Sequence, residues 1–134
     1  MVGYRVHMPT FMQILLVLLG GGIGSLLRFL SVSIIGALLP IVRYPLGTFS
    51  VNVLGCFFIG VLVGFSMRSL VSENTKLFLS TGVLGGFTTF SAFGLEAFQL
   101  WRGGEIVAAA AYVIASVICG CAAVFGGLWV SSHG

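Results

Sequence analysis

Four long apolar runs, separated by short polar segments, set the pattern of the chain. They cover residues 11–39, 46–67, 77–100 and 106–130. A helix needs about 20 apolar residues to cross the hydrocarbon core of a bilayer, and each run is long enough. The pattern therefore predicts an all-α membrane protein with four transmembrane helices.

The same runs define the domain organisation. We expect one four-helix transmembrane domain over residues 11–130, with an N-terminal tail at 1–10 and a C-terminal tail at 131–134. The first run is long and is followed by three more, so we interpret it as a spanning helix and not as a cleaved signal peptide.

Composition excludes several classes of protein. Of the 134 residues, 58% are hydrophobic and 7% are charged, whereas a soluble domain carries about 25% charged residues. So few polar side chains cannot cover a soluble globule of this size. A soluble enzyme, a disordered chain and a nucleic-acid binder are therefore excluded.

The few charges bear on orientation in the membrane. Four spans place both termini on one side, together with Arg5, Arg68 and Lys76, while Arg43 and Arg102 lie on the other side. Three positive charges against two give a very weak positive-inside bias. Two interpretations remain open: termini in the cytoplasm, or dual topology in which copies insert both ways and pair head to tail.

Glycine is abundant, with 20 residues. Gly20 and Gly24, and likewise Gly60 and Gly64, have the small-xxx-small spacing that lets membrane helices approach closely. The alternative is that glycine is simply common in membrane helices. Four helices leave little room for a water-filled pore within one subunit, so we expect a homo-oligomer.

The third run differs from a plain spanning helix. Three glycines and several hydroxyl residues crowd its middle, between Thr81 and Ser91. The adjacent pair Gly85–Gly86 favours a break, because glycine costs about 1 kcal/mol relative to alanine inside a helix. A break frees carbonyl oxygens, which suit a hard cation such as sodium, and amide hydrogens, which suit an anion. The alternative is a continuous, glycine-rich packing face.

Two phenylalanines follow this segment. Phe90 and Phe93 are three residues apart and share a helix face. Taken alone, such a pair is typical of a lipid-facing or core position. Aromatic ring edges carry partial positive charge, however, and so can meet an anion where no formal charge is present.

Polar residues on the other runs complete a set of neutral donors. Thr48 and Asn52 are four residues apart on the second run, and Tyr112 and Ser116 are four apart on the fourth. Asn52 is a functional candidate at mid-membrane, with contact between helices as the alternative. Glu96 is interpreted as a proton carrier, a buried hydrogen-bonded acid or an interfacial residue. Such a donor-rich, nearly charge-free set suits a small anion that must be released quickly.

Enzymatic chemistry finds no support in the sequence. Cys56, Cys119 and Cys121 match no zinc or disulfide spacing and are interpreted as small apolar residues. His7 and His133 lie in the tails. No Ser-His-acid set and no pair of carboxylates can be assembled within the membrane, so we expect a protein that is not an enzyme.

At these residues the chain resembles the Fluc (CrcB) family of fluoride channels. The resemblance rests on Gly-Ser-Leu-Leu-Arg at 24–28, Pro-Leu-Gly-Thr at 45–48 leading to Asn52, and Gly-Gly-Phe-Thr-Thr-Phe-Ser-Ala-Phe at 85–93 followed by Glu96. It extends through all four spans and leaves out only the tails.

The resemblance implies an antiparallel (inverted) homodimer with dual topology in the cell membrane. It also implies passive, selective exit of fluoride from the cytoplasm through two pores. A structural sodium ion, which is not transported, would be held at the dimer axis by the backbone carbonyls of Gly85 and Thr88 from each subunit. The implied partners are fluoride, membrane lipid and a second copy of the chain.

Site residues follow from the same resemblance. The implied fluoride pore comprises Phe90, Phe93, Asn52, Thr48, Ser91, Tyr112 and Ser116. Arg28 would lie in the vestibule and attract anions, and Glu96 would lie at the vestibule or the interface. The chain departs from the pattern at Gly120, where some members have serine, and at Ala92, where a hydroxyl residue is frequent.

Two other classes of function share some of these sequence features. A proton-coupled exporter of the small-multidrug kind also has four helices and dual topology, but it needs a carboxylate deep in its first span. Here the first run contains Arg28 and no acid, and Glu96 is the only acid within a run. A non-transporting assembly subunit would explain the glycine pairs but not the aligned donors on three runs.

Overall fold

The computed structural model describes residues 8–39 and 44–133, and these residues form helices joined by short turns. Four helical segments are long and apolar enough to cross a membrane: Phe11–Leu38, Leu46–Met67, Glu73–Arg102 and Ile106–His133. The prediction of an all-α protein with four spans is therefore confirmed. Residues 1–7, 40–43 and 134, which include Arg5, His7 and Arg43 from the charge and tail arguments, lie outside the described residues.

The first span is one α-helix, α1 (Phe11–Leu38), and its start is fixed by a capping box. The Thr10 hydroxyl accepts from the Gln13 N–H (3.3 Å), and the Gln13 side-chain oxygen accepts from the Thr10 N–H (2.9 Å). This reciprocal pair satisfies two N–H groups that a helix start leaves free.

Two of the turns between spans have the same C-terminal geometry. The second span, α2 (Leu46–Met67), ends as Ser69 takes a left-handed conformation (φ 57°) and the Leu70 N–H returns to the Phe65 carbonyl at 3.1 Å. The third span ends in the same way at Gly104 (φ 82°), a conformation that glycine adopts without steric cost. There the Glu105 N–H returns to the Leu100 carbonyl at 2.9 Å. Both bonds satisfy carbonyls that the helix end would otherwise leave free.

The third span is built from four helical pieces. These are α3 (Glu73–Leu77), a π-helical segment π1 (Phe78–Leu84), α4 (Gly85–Phe87) and α5 (Phe90–Arg102). Between α4 and α5 the backbone is extended, with φ −83° and ψ 158° at Thr88 and φ −150° and ψ 115° at Thr89. The fourth span is a single helix, α6 (Ile106–His133).

The break in the third span falls later than the glycines that predicted it. Gly85 and Gly86 remain helical, and the extended residues are Thr88 and Thr89. The reason is packing, because a Cβ at Gly86 would overlap the Gly21 carbonyl oxygen of α1. Glycine serves here to bring α4 close to α1, and the threonines that follow supply the extended backbone.

Helix α1 packs against the first half of the third span through small residues. Gly20 and Gly24 are both buried. A Cβ at Gly20 would lie 2.7 Å from the Phe78 carbonyl oxygen, and one at Gly24 would overlap the Val83 carbonyl oxygen. The prediction that this glycine pair serves close packing is confirmed.

Helices α2 and α6 form the second close pair. Gly60 and Gly64 are buried in α2. A Cβ at Gly60 would overlap the Val124 carbonyl oxygen, and one at Gly64 would overlap the Ser131 hydroxyl. At the end of α2, the Arg68 guanidinium donates to the Ser131 carbonyl at 3.1 Å. The second glycine pair is thus confirmed as a packing feature as well.

The spans in each close pair are parallel. Along α1 and the third span, contacts advance together from Gly20 with Gly82 to Arg28 with Thr88. Along α2 and α6, contacts advance from Cys56 with Gly120 to Gly64 with Ser131, near the ends of both helices. The chain therefore alternates between two helix pairs, first with third and second with fourth.

Candidate functional site

The break in the third span is held by the side chain of Asn52 on α2. Its Oδ1 accepts from the Thr89 N–H at 2.8 Å, and its Nδ2 donates to the Thr89 carbonyl at 3.1 Å. One side-chain amide therefore satisfies both backbone groups of the extended residue. At membrane depth this matters, because an unpaired backbone group there costs several kcal/mol.

The break takes the helical N–H partners away from several carbonyls, among them those of Gly85 and Thr88. In a continuous helix the Thr89 N–H would bond the Gly85 carbonyl, and the Ala92 N–H would bond the Thr88 carbonyl. Instead, the Thr89 N–H bonds Asn52, and the Ala92 N–H bonds the Thr89 hydroxyl at 3.2 Å. The Thr89 hydroxyl thereby caps the N-terminus of α5.

The Thr88 carbonyl has a partner on the opposite helix. The Arg28 Nη1 atom on α1 donates to it at 3.1 Å. The guanidinium that was predicted in a vestibule thus contacts the break directly. The break lies between two helices, with Arg28 of α1 on one side and Asn52 of α2 on the other.

A cleft of about 430 Å³ opens along the break. Its lining includes Asn52, Gly85, Thr88, Phe93 and Ser116, together with Cys56 from the middle of α2. Within the described part of the chain, the Ser116 hydroxyl is the buried side-chain oxygen that has no hydrogen-bond partner. None of the side chains that line the cleft carries a formal charge.

The two predicted phenylalanines lie at the mouth of this cleft. Their ring centroids are 5.4 Å apart, and Phe90 is 84% exposed. The Phe93 ring contacts the Tyr112 ring, with 5.2 Å between centroids. The Tyr112 ring packs edge-on against Tyr44, with 5.6 Å between centroids and an interplanar angle of 87°. An aromatic row therefore leads from the break to the N-terminal ends of α2 and α6.

The carboxylate of Glu96 lies beside this row. Its Oε1 accepts from the Thr48 hydroxyl at 2.6 Å, and its Oε2 accepts from the Tyr112 hydroxyl at 2.8 Å. Thr48 is 3% exposed and Tyr112 is fully buried. Of the three interpretations given to Glu96, its contacts are those of a hydrogen-bonded acid.

The structure brings the predicted site residues together in two groups. The break group contains Asn52, Thr88, Ser91 and Arg28, and the second group contains Thr48, Glu96 and Tyr112, with Phe93 between them. The pairs that were placed on one face by spacing do face the third span. Their role in a pore stays a prediction.

Sequence reasoning missed two residues of the site. Thr89 is the centre of the break and bonds Asn52, Ser91 and Ala92. Tyr44 extends the aromatic row. The Thr-Thr pair after the glycines was a signal for the first, since β-branched residues favour extended backbone. Tyr44 had no signal beyond its closeness to Pro45.

The three cysteines are free thiols. Cys56 lies on the side of the cleft, and a Cβ at Gly120 would be 3.4 Å from its sulfur. A thiol thus borders the position where the resemblance led us to look for a hydroxyl.

Four apolar spans, the third of them broken, define a multi-pass membrane protein. The profile described as CrcB-like protein, Camphor Resistance (CrcB), matches residues 15–128. The chain belongs to this family.

Similar proteins cover nearly the whole chain. One from Azobacteroides pseudotrichonymphae is 50% identical over 113 residues, which are 84% of this chain and 90% of that protein. Another from Methylobacillus flagellatus is 46% identical over 109 residues, 81% of this chain and 85% of that protein. Both are named fluoride-specific ion channel FluC, which is a class of transport protein and not of enzymes.

Proposed function

We propose that the chain is a fluoride-selective ion channel that lets fluoride leave the cytoplasm passively across the cell membrane. The proposal rests on one observation above all: a membrane-depth cleft beside a broken span in which neutral donors and phenylalanine rings meet. The names of the similar proteins support the same ion.

Neutral donors suit this task physically. A small anion must lose water to enter the membrane, and it needs hydrogen bonds that replace its hydration shell. A buried cation would hold the anion too long, whereas hydroxyls, amides and aromatic ring edges bind it weakly enough to let it go. The unpartnered Ser116 hydroxyl is one such donor.

The proposed pore runs along the two groups of the site. Its lining residues are Phe90, Phe93, Asn52, Thr48, Ser91, Tyr112 and Ser116. The Thr48 and Tyr112 hydroxyls each have one O–H hydrogen, and both donate it to Glu96. In this proposal each hydroxyl turns from Glu96 to the anion as the anion passes. Arg28 supplies a positive charge near the break that attracts anions.

A second copy of the chain completes the channel in this proposal. The break leaves Phe90 and Ser91 exposed on one face of the molecule. Irregular backbone at membrane depth persists only where protein covers it or where it lines a cavity. An inverted copy, packed on this face as an antiparallel homodimer, would supply that cover and form two pores.

A structural sodium ion fits the same axis. The carbonyls of Gly85 and Thr88 are among those that lose their helical N–H partners at the break. Carbonyl oxygens are ligands for a hard cation, and four of them would meet where two copies cross. The bound ion would supply a fixed positive charge that holds the two breaks together.

Purified protein reconstituted in liposomes tests the function. We expect a fluoride electrode to record rapid release of fluoride and a chloride electrode to record far slower release under the same gradient. Liposomes without protein provide the baseline. Equal release of both anions would contradict selectivity, and release that needs a proton gradient and carries organic cations would favour the exporter.

A further inference from the structure

Asn52 is fully engaged with one residue of the break, and this points to a role beyond donating a hydrogen bond to an ion. We propose that Asn52 is a positioning residue that holds the third span open at Thr89, so that the break exists before any ion binds. This role deepens the proposed channel function. The Asn52–Thr89 pairing stands independently of that function, and only its effect on fluoride flux rests on it.

The orientation of the Asn52 amide is fixed by its partners. The Thr89 N–H needs an acceptor and the Thr89 carbonyl needs a donor, so a single orientation of the side-chain amide serves both. The distances agree, with 2.8 Å from Oδ1 to the Thr89 nitrogen and 3.1 Å from Nδ2 to the Thr89 oxygen. The side chain is thereby locked at both of its polar atoms.

This pairing resembles one step of a β-ladder. Thr89 has the extended dihedrals of a strand residue, φ −150° and ψ 115°. Asn52 presents one acceptor and one donor to it, as a neighbouring strand would. Without Asn52, the nearest use for the Thr89 N–H is the Gly85 carbonyl of a closed helix. Asn52 therefore favours the open form over the closed one.

The opposite side of the break has its own support. Arg28 of α1 donates to the Thr88 carbonyl, so neighbouring residues of the break are held from two different helices. Asn52 differs from Arg28 because it holds the N–H as well as the carbonyl of its residue. It is the contact whose loss would let the helix close.

A measurement on a channel that keeps Asn52 tests the pairing directly. Protein labelled with [4-¹³C]asparagine and [¹⁵N]threonine is studied in lipid by solid-state dipolar recoupling, in fluoride-free buffer. Asn74 lies next to Thr75 and would give a background signal, so an Asn74→Gln protein is used. We expect a ¹³C–¹⁵N distance of about 4 Å, as a direct hydrogen bond requires. Absence of dephasing at that distance would overturn the proposal.

The backbone conformation of Thr89 then separates positioning from ion binding. In threonine-labelled protein and fluoride-free buffer, we expect Asn52→Ala to move the ¹³Cα and ¹³Cβ chemical shifts of Thr89 from the extended to the helical range, because without Asn52 the Thr89 N–H bonds the Gly85 carbonyl and the helix closes. Ser116→Ala is the matched control, since Ser116 lines the same cleft and makes no hydrogen bond to the break. It should leave the Thr89 chemical shifts unchanged.

The outcomes are distinct. Helical Thr89 shifts in Asn52→Ala alone, with the Thr81 shifts of π1 unchanged, support the proposal. Extended Thr89 shifts in Asn52→Ala, or the same change in both variants, overturn it. Neither measurement depends on fluoride flux, so a chain that failed to conduct fluoride could still show the pairing, and a conducting chain could still lack it.

Discussion

Phe93 is the residue that joins the two polar groups of the site. Its ring contacts Phe90 on the side of the break and Tyr112 on the side of Glu96. Both neighbours are aromatic, so the ring is held at its faces and edges by contacts that a smaller side chain would lose. A change at this position alters the path without touching the break.

Replacing Phe93 by isoleucine tests this role at the residue scale. We expect fluoride efflux from liposomes to fall at least about tenfold, because an aliphatic group offers an anion no positive ring edge. Phe125→Ile is the matched control, since Phe125 is exposed on α6, and its efflux should equal that of the unchanged chain.

Size-exclusion profiles of both variants should coincide, which shows that assembly is intact. Equal fluoride efflux from Phe93→Ile and Phe125→Ile would contradict a role of the Phe93 ring in the fluoride path and would leave it a packing role only.

Single residues also show how far the sequence reached. Spacing placed Thr48 with Asn52 and Tyr112 with Ser116 on shared faces, and the structure turns both pairs toward the third span. Spacing could not connect Thr48 with Glu96, because 48 residues separate them and only the fold brings them together. Long-range partners of this kind leave no local signal.

At the scale of helices, close approach depends on individual glycines. The neighbours Gly126 and Gly127 on α6 show the contrast. A Cβ at Gly127 would overlap the Phe57 carbonyl oxygen of α2, whereas one at Gly126 would have nothing within 4 Å. The two positions have the same sequence context and the same helix, and they differ in what faces them.

This contrast gives a paired prediction for stability. Gly127→Ala should lower the free energy of unfolding by about 2–3 kcal/mol, because the new methyl group forces α2 and α6 apart. Gly126→Ala should raise it by up to about 1 kcal/mol, because alanine is the better helix former. Thermal unfolding in one detergent compares the two, and similar shifts in both variants would contradict the packing.

Helical elements were largely predictable, and the position of the break was not. Hydrophobic runs gave all four spans, because the bilayer imposes length and polarity directly on the sequence. The glycines predicted an interruption of the third span. Gly85 and Gly86 nevertheless stay helical, with Gly86 packed against α1, and the backbone is extended at Thr88 and Thr89. That choice depends on Arg28 and Asn52 from other spans, which a local pattern does not contain.

The whole molecule presents its interrupted span on an outer face. Phe90 is largely exposed there, close to the cleft at the break. In a monomer, this side of the interrupted span would lie in lipid without protein to cover it. Assembly with a second copy is therefore part of the proposal for function, and the nearly balanced positive charges are compatible with copies in both orientations.

Orientation can be measured in cells. We expect a single cysteine at Ser132, introduced after Cys56, Cys119 and Cys121 are replaced by alanine, to react to about half with a membrane-impermeant maleimide in intact cells. About half is the value for copies inserted both ways with no net bias. Permeabilised cells supply full labelling as the reference. Labelling near none or near all would indicate one fixed orientation and contradict dual topology.

The interleaved order of the two helix pairs has a consequence for biogenesis. The face of α2 that contains Gly60 and Gly64 packs on α6, the last helix to be synthesised. During translation, α2 therefore lies in the membrane without this packing partner until the third span and α6 have left the translocon. A chain that stops short of α6 would therefore leave this face of α2 without the helix that packs on it.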